Sequence, residues 1–234
     1  MPAERRAPSA PDPAQLLAER FRAFVRDRSF PCVGAKSALA RGGLRTLVAR
    51  SLVSAWDDLR IYAALLAFAA AYRSAPELFQ SLAVIFQGPI LLDELGFETG
   101  LWDRLQSLAD KDAWLGQPHD PRVSPLPADP SFSLSVAGEG FFVVGLHPGA
   151  SRPARRFETP VLVFNPHAQF ERLRAEGRYE PLREAIEVRD VALAGSPNPM
   201  LARFGDSSEA RQYSGRQVED DWTCPFHPPE RKPS

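Results

Sequence analysis

The chain has 234 residues, of which 44% are hydrophobic and 24% are charged, and its formal net charge at pH 7 is −1. This length allows one domain with a substantial hydrophobic core. The near-zero charge disfavours a nucleic-acid-binding protein, because such proteins present a basic face to phosphates. The longest apolar run, from Ile61 to Tyr72, is shorter than the roughly 20 residues that a membrane-spanning helix needs.

The N-terminal segment and the cysteines predict a cytoplasmic protein. The segment from Met1 to Pro13 contains no apolar stretch of the kind found in signal peptides. Cys32 and Cys224 form no C-x-x-C pair and imply no disulfide framework. We expect a disordered tail over residues 1–12, one domain over residues 13–228 and a flexible tail over residues 229–234.

The first half of the chain predicts helices. Asp12 and Pro13 are typical of a helix start, and the apolar face of that helix comprises Leu16, Leu17, Phe21, Phe24 and Val25. The stretch from Leu44 to Val53 fits either a strand or a short helix.

Three further helices are predicted before the proline-rich connection at residues 116–130. Ser54 and Asp57 resemble a capping box that opens a helix through about Tyr72. Its predicted inward face comprises Trp56, Leu59, Ala63, Leu66 and Ala70. A second helix is predicted from Pro76 to Gly88. The third has an apolar face formed by Phe97, Leu101, Trp102, Leu105 and Leu108.

The second half predicts mostly strands. The segments 132–136 and 141–146 flank a Gly-Glu-Gly turn, which indicates a β-hairpin, and Val161 to Phe164 fits a short buried strand. Asn165 is predicted to cap a helix that begins at Pro166, so that His167 lies in its first turn. Another helix is predicted to begin at Pro181, followed by an alternating segment after Asp190.

Helices in the first half and strands in the second favour a single α+β domain. In this arrangement the helical N-terminal half packs on a mostly antiparallel C-terminal sheet.

Chemically active side chains concentrate at the predicted ends of these later elements. His147 closes a strand, where a neutral imidazole can bind iron or transfer a proton. Arg152, Arg155 and Arg156 follow it, and guanidinium groups suit carboxylates or phosphates. A loop histidine and a solvated arginine cluster are the structural alternatives.

Three more features have both a functional and a structural interpretation, and the structural one is a capping residue for His167, a small buried side chain for Cys32, and a buried ion pair with a hydrogen-bonded tyrosine for Glu209, Arg211 and Tyr213. His167, near a helix N-terminus, is expected to be neutral. Cys32, in an apolar turn, is either an iron ligand or a small buried side chain. Glu209, Arg211 and Tyr213 would share one face of an extended segment and so suit a guanidinium-containing substrate, with Asp190 as a second carboxylate.

Several common enzyme motifs are absent from the sequence. It has no H-E-x-x-H, no paired C-x-x-C, no P-loop and no G-x-G-x-x-G. Zinc proteases, zinc fingers, nucleotide phosphotransferases and dinucleotide-binding enzymes are therefore disfavoured.

The same sequence blocks, in this order, resemble the YqcI/YcgG family between about Phe30 and Phe226. The blocks are Phe30-Pro31-Cys32, Gly145-Leu146-His147-Pro148, Ser151-Arg152, Ala154-Arg155-Arg156-Phe157, Val163-Phe164-Asn165-Pro166-His167, Gln169-Phe170-Glu171, Arg189-Asp190, Asn198-Pro199-Met200-Leu201, Ser208 to Arg216 and Trp222-Thr223-Cys224-Pro225-Phe226. The resemblance implies heme b and oxygen-dependent hydroxylation of a guanidine or amine nitrogen in a biosynthetic pathway. A small substrate, oxygen and an electron donor would then be the partners, with no nucleic acid and no membrane, and a homodimer is one candidate assembly.

The residue roles within this expectation follow from side-chain chemistry. His147 is the expected iron ligand, with Cys32 and then His167 as alternatives. Arg152, Arg155 and Arg156 would neutralise the heme propionates, and Phe141, Phe142 and Phe164 would wall the macrocycle. Glu209 or Asp190 would hold the substrate guanidinium, and Tyr213 would donate a hydrogen bond to the bound oxygen.

Two other functions remain open on the sequence. One is a heme-binding sensor or storage protein without turnover. The other is a metal-free domain that binds a small anion through the arginine cluster.

Overall fold

A computed structural model describes residues 12–200 and 207–231 of the chain. Residues 1–11 of the N-terminal tail predicted over residues 1–12 lie outside the described residues, as do residues 232–234 of the predicted C-terminal tail. In the described part of that C-terminal segment, Arg231 forms an ion pair with the buried carboxylate of Asp112, at 3.1 Å.

The described residues include seven α-helices and five strands. The helices are α1 (Pro13–Arg26), α2 (Val33–Ala40), α3 (Asp58–Ser74), α4 (Glu94–Trp114), α5 (His167–Ala175), α6 (Tyr179–Ala194) and α7 (Ala210–Tyr213). The strands are β1 (Leu44–Ser51), β2 (Ser81–Gly88), β3 (Leu134–Val136), β4 (Glu139–Leu146) and β5 (Val161–Pro166).

The five strands form one mixed sheet in the order β1-β2-β5-β4-β3. Strands β1 and β2 pair in parallel, whereas the other three pairings are antiparallel. The α+β class and the mostly antiparallel sheet are confirmed, but the sheet takes two of its strands from the first half of the chain.

Hydrophobic side chains fill both faces of the sheet. One cluster joins the sheet to α3 and α4 and includes Phe68, Leu105 and Phe141. A second cluster joins it to α1 and α2 and includes Phe21 and Ile85. The sheet is therefore the middle of three layers, and successive residues of a strand point into different layers.

The predicted face of α4 is confirmed, and the predictions for α1 and the hairpin are confirmed except at Leu16, which is 37% exposed, and at Glu139 and Gly140, which belong to β4 and not to the turn. Asp12 caps α1 by accepting a hydrogen bond from the Ala14 amide at 3.0 Å. The five apolar residues predicted on α4 are all buried. Strands β3 and β4 pair through Leu134 and Phe141.

The helix predicted from Pro76 to Gly88 is wrong, because this segment contains β2. Its residues from Ser81 to Phe86 are all buried, since β2 is an internal strand with hydrophobic layers on both sides. Such a strand has a continuous apolar run, which periodicity cannot distinguish from a short helix.

The predicted inward face of α3 is also wrong. Leu59 is 71% exposed, and Trp56 lies in a 3-10 turn before the helix and is 75% exposed. The buried face instead includes Ile61, Leu65 and Phe68. The helix is apolar around most of its circumference, so a buried ion pair between Asp58 and Arg104 of α4 fixes which face packs inward.

Three local predictions in the second half are corrected. Asn165 lies within β5, and Pro166, the last residue of that strand, occupies the N-cap of α5. Helix α6 begins at Tyr179 and continues past Asp190 to Ala194, where Gly195 ends it in the left-handed conformation. Residues 210–213 form a helical turn, so the prediction that Glu209, Arg211 and Tyr213 alternate on an extended segment is wrong.

We expect Gly145→Ala to destabilise the protein by about 1–3 kcal/mol, the usual cost of overpacking. A Cβ at Gly145 would lie 2.7 Å from the Phe97 ring and 2.9 Å from Leu101. The matched control is Gly34→Ala in α2, whose added Cβ would meet its nearest neighbours at 3.8 Å. It should be neutral or stabilising by up to about 1 kcal/mol. Urea unfolding measures both, and equal stabilities would contradict the packing described for β4 and α4.

Candidate active site

A cavity of about 300 Å³ lies between the sheet and helices α1, α2, α5 and α6. Its walls are mainly apolar and include Phe21, Phe30, Val144, Leu146 and Phe170. Helix α6 closes one side with the half-buried side chains of Leu182 and Ile186. A mostly apolar cavity with a few polar groups is the usual form of a small-molecule site.

Cys32 lines this cavity at the N-cap of α2. Its Sγ accepts a hydrogen bond from the Ala35 amide at 3.4 Å. Burial raises the pKa of the Cys32 thiol, while the amides of α2 and the charge of Arg155 act in the opposite direction. The amides of α2 and Arg155 therefore only partly offset the effect of burial, and the thiol form of Cys32 is favoured over the thiolate.

Arg155 and Arg156 both bind backbone carbonyls. The buried guanidinium of Arg155 donates to the carbonyls of Gly145 at 2.8 Å and Gln212 at 3.1 Å. Burial lowers the pKa of Arg155 to about 10. Arg156 donates to Ala150 O at 2.6 Å. Arg155 lines the cavity and connects β4 to α7, whereas Arg156 stabilises its own loop.

Arg152 and Asp190 form an ion pair at another part of the cavity wall. Arg152 also donates to Ser196 O at 3.0 Å. Its Nε is buried and has no hydrogen-bond partner among residues 12–200 and 207–231. Because a buried donor without a partner is costly, this Nε is a candidate contact for a bound anionic group.

Glu209 contributes a largely buried carboxyl group to the cavity, with a side chain that is 13% exposed. It accepts a hydrogen bond from Ser133 Oγ at 3.3 Å. Burial raises the pKa of Glu209 to about 7, against the opposing effects of Ser133 and Arg174. A carboxyl group that titrates near neutral pH in a cleft is typical of functional sites.

His167 lies behind Glu209 and does not line the cavity. Its Nδ1 is 3.0 Å from Ser133 Oγ and 4.0 Å from Glu209 Oε2. Burial lowers the pKa of His167 to about 4, so the ring is neutral at pH 7.

Tyr213 connects three elements through its hydroxyl group. The hydroxyl donates to Phe141 O at 2.9 Å and accepts from the Leu134 amide at 3.3 Å. Its ring stacks on Trp102 with centroids 5.5 Å apart. In this geometry the hydroxyl group joins α7 to β3 and β4.

His147 lies on the side of the sheet that faces α4. Its ring stacks on Phe97 with centroids 4.3 Å apart, and burial lowers the pKa of His147. Its Nδ1 has no hydrogen-bond partner within the described part of the chain. The alternation of β4 explains this placement, because Val144 and Leu146 face the cavity and His147 is the next position of opposite orientation.

Of the sequence-predicted site residues, the cavity brings together Cys32, Arg152, Arg155, Asp190 and Glu209. His147, Arg156, His167 and Tyr213 lie outside its lining. Of the three predicted aromatic wall residues, Phe142 lines the cavity, whereas Phe141 and Phe164 belong to the core cluster on the other face.

Comparison with protein families identifies the chain. The model of the YqcI/YcgG family matches residues 21–227. The chain belongs to the YqcI/YcgG family. No curated protein matches it, and no solved structure does.

The blocks that resemble the YqcI/YcgG family converge on the cavity. Each of them, apart from Trp222 to Phe226, contributes at least one lining residue. Blocks far apart in the sequence therefore meet at one place, which identifies the cavity as the candidate active site of this family member.

Sequence reasoning missed several polar residues at this site. Asn165, Tyr179, Arg183 and Glu187 line the cavity, and Ser133 lies between Glu209 and His167. Asn165 accepts a hydrogen bond from Ser81 Oγ at 2.6 Å. Only its position within a family block could have indicated a role for Asn165, because Asn after a strand is also typical of a helix cap.

The described residues contain no group of three or more His, Cys, Asp or Glu side chains arranged to hold a metal ion. Nor do they contain a helix with the length and apolar character needed to cross a membrane.

We expect Tyr213→Phe to lower the free energy of unfolding by about 1–3 kcal/mol, because Phe141 O and the Leu134 amide would lose a buried partner. Chemical denaturation of the purified variant measures this change. Unchanged stability would contradict the connecting role given to the hydroxyl group.

Proposed function

We propose that this YqcI/YcgG protein is a heme-dependent oxygenase that hydroxylates a guanidine or amine nitrogen of a small molecule. The observation that carries the proposal is the convergence of the family blocks on one apolar cavity containing a thiol and a buried carboxyl group. The family resemblance supplies the heme and the reaction type.

The cavity offers side chains of the types that hold a heme. The group needs an axial ligand, apolar walls and polar contacts for its propionates. Cys32 provides a sulfur ligand beside the amides of α2, and Phe30 and Phe170 belong to the apolar walls. Arg152 provides a buried Nε without a partner among the described residues.

Cys32 is the proposed iron ligand, in preference to the two histidines. It lines the cavity, whereas His147 packs against Phe97 beyond the sheet and His167 lies behind Ser133. When bound, heme would activate oxygen and oxidise the substrate nitrogen. The protein would bind the substrate, orient it and exclude water.

Glu209 is the proposed contact for the substrate cation. A guanidinium group and a carboxylate form paired, charge-assisted hydrogen bonds, and a neighbouring cation would shift Glu209 toward its charged form. Asp190 is less suitable because Arg152 already pairs with it. The buried carboxyl group favours an enzyme over a heme sensor or storage protein, neither of which needs to bind a cation.

The anion-binding alternative receives less support. Arg155 and Arg156 donate to backbone carbonyls, and Arg152 pairs with Asp190. The arginine cluster therefore stabilises the protein around the cavity, and the Nε of Arg152 is the donor left for a ligand.

We expect Cys32→Ala to change the absorption spectrum of the heme-loaded protein and its ferrous–carbon monoxide complex, because the sulfur ligand is lost. His147→Ala should leave both spectra unchanged and serves as the control. If His147→Ala alters the spectra and Cys32→Ala does not, the proposed ligand is wrong. A heme-free, colourless preparation after expression with abundant heme would contradict the function itself.

We expect Glu209→Gln to raise KM for a guanidine substrate about 10- to 100-fold, the equivalent of a charged hydrogen bond worth about 1.5–3 kcal/mol. Wild-type affinity should fall as the pH drops below about 7, because Glu209 becomes neutral there. Steady-state kinetics and binding titrations from pH 5 to 9 measure both effects.

Glu187→Gln is the matched control for this change. Glu187 also lines the cavity, but its carboxylate is already paired with Arg183, so KM should change less than about twofold. An increase in KM for Glu187→Gln but not for Glu209→Gln would show that Glu187, and not Glu209, binds the substrate cation.

A further inference from the structure

Four polar side chains, Glu209, Ser133, His167 and Glu171, lie in a row between the cavity and the protein surface. Glu209 Oε2 lies 3.3 Å from Ser133 Oγ, which lies 3.0 Å from His167 Nδ1. On the far side of the imidazole, His167 Nε2 lies 3.8 Å from Glu171 Oε1. The row begins at a residue that lines the cavity and ends at a carboxylate on the exposed side of α5.

Burial separates the inner part of this row from solvent. Ser133 is 1% exposed and His167 is 2% exposed, whereas the side chain of Glu171 is 42% exposed. A proton on Glu209 therefore has a path to water through Ser133 and His167 that does not pass through the cavity.

The proposed reaction creates a need for such a path. A guanidine bound to Glu209 is cationic, and its nitrogen must give up a proton to present a lone pair for oxidation. Once the substrate fills the cavity, Glu209 cannot pass that proton to bulk water on the cavity side. A second exit behind the carboxyl group would solve this problem.

We propose that Glu209, Ser133, His167 and Glu171 form a proton path that carries the substrate proton from the cavity to solvent. The proposal rests on the proposed function for the origin of the proton. The path itself is a property of this chain alone.

The transfers balance without a net charge on the imidazole. The substrate N–H bond breaks as the O–H bond of Glu209 forms. Glu209 then gives its proton to Ser133 Oγ, the Ser133 hydroxyl gives its own proton to His167 Nδ1, and His167 Nε2 releases its proton to Glu171 and water. The 3.8 Å step is longer than a hydrogen bond, so the path requires a rotation of the partly exposed Glu171 side chain or a bridging water molecule.

The electrostatics of the row suit a relay. Burial lowers the pKa of His167 to about 4, so the ring shifts between its two neutral tautomers instead of storing a proton. Burial raises the pKa of Glu209 to about 7, so both of its protonation states are accessible near neutral pH. Within the described part of the chain, Arg122, Arg174, Asp120, Tyr179 and Tyr213 also act on these two groups.

The path makes a specific prediction about the His167 tautomer. When Glu209 is protonated it donates to Ser133, which then donates to Nδ1, so the ring carries its proton on Nε2. When Glu209 is ionised it accepts from Ser133, which then accepts from Nδ1–H. His167 should therefore change tautomer with a midpoint near pH 7, which is the pKa of Glu209.

The test is ¹⁵N NMR of the full-length, histidine-labelled protein from pH 5 to 9, in the diamagnetic ferrous–carbon monoxide form where heme is bound. The wild type should show the tautomer change at His167, assigned by its loss in His167→Gln. Ser133→Ala and Glu209→Gln should each abolish the change. One tautomer across the whole range, or a change that persists in Ser133→Ala, would overturn the proposal.

Ser135→Ala is the matched control. Ser135 is a buried serine two residues away, and its hydroxyl binds the Asp120 amide at 2.9 Å. This variant loses a buried hydroxyl group of the same segment but keeps the row, so the tautomer change should remain.

Kinetics then connect the path to turnover. Ser133→Ala should lower kcat for a guanidine substrate at least tenfold with KM changed less than twofold, whereas Ser135→Ala should leave both within twofold. Equal kcat for Ser133→Ala and wild type would show that the row does not limit proton release and would overturn its proposed role. Absence of guanidine turnover in the wild type would contradict the proposed function, while the NMR result would still decide whether the row conducts protons.

Discussion

The alternation of side chains along β4 determines which groups meet in the cavity. Val144 and Leu146 point into the layer with α1, α2 and α6, whereas Phe141 and Val143 point toward α3 and α4. His147 follows the second set and stacks on Phe97. The chain then turns back, and the loop after His147 brings Arg152 and Arg155 to the cavity wall. A shift of one residue in the pairing of β4 with β5 would exchange these two sets.

Burial in this apolar layer changes the chemistry of the groups that reach it. Desolvation raises the pKa of Glu209 to about 7 and lowers that of His167 to about 4. Both shifts disfavour the charged forms of these two side chains. A bound cation would restore the charge of Glu209, because the attraction between opposite charges is strong where water is excluded. This effect is the physical basis for proposing a cationic substrate.

Much of the fold follows from local patterns in the sequence. Helix α1 has a clear N-cap, α4 has a clear apolar face and the hairpin has a glycine in its turn, so these three elements were identified from the sequence. Strand β2 was mistaken for a helix because burial on both faces removes the alternation that identifies a strand. The orientation of α3 depends on the pairing of Asp58 with Arg104, which are far apart in the sequence.

Part of the candidate site, like part of the fold, could be predicted from the sequence. Cys32, Arg152, Arg155, Asp190 and Glu209 could be selected from residue type and position in family blocks, and the structure brings them to one cavity. Ser133 could not be selected, because a serine beside a strand carries no signal until its neighbours Glu209 and His167 are known. The side of the sheet that His147 faces depends on strand register, which only the paired sheet defines.

The central claim is that this cavity holds a heme whose iron is bound by Cys32. X-ray absorption at the iron edge of the heme-loaded full-length protein tests it most directly, because sulfur and nitrogen scatter differently in the first coordination shell. The account predicts one sulfur ligand in addition to the porphyrin nitrogens. A first shell of nitrogen and oxygen alone, with no sulfur, would contradict it.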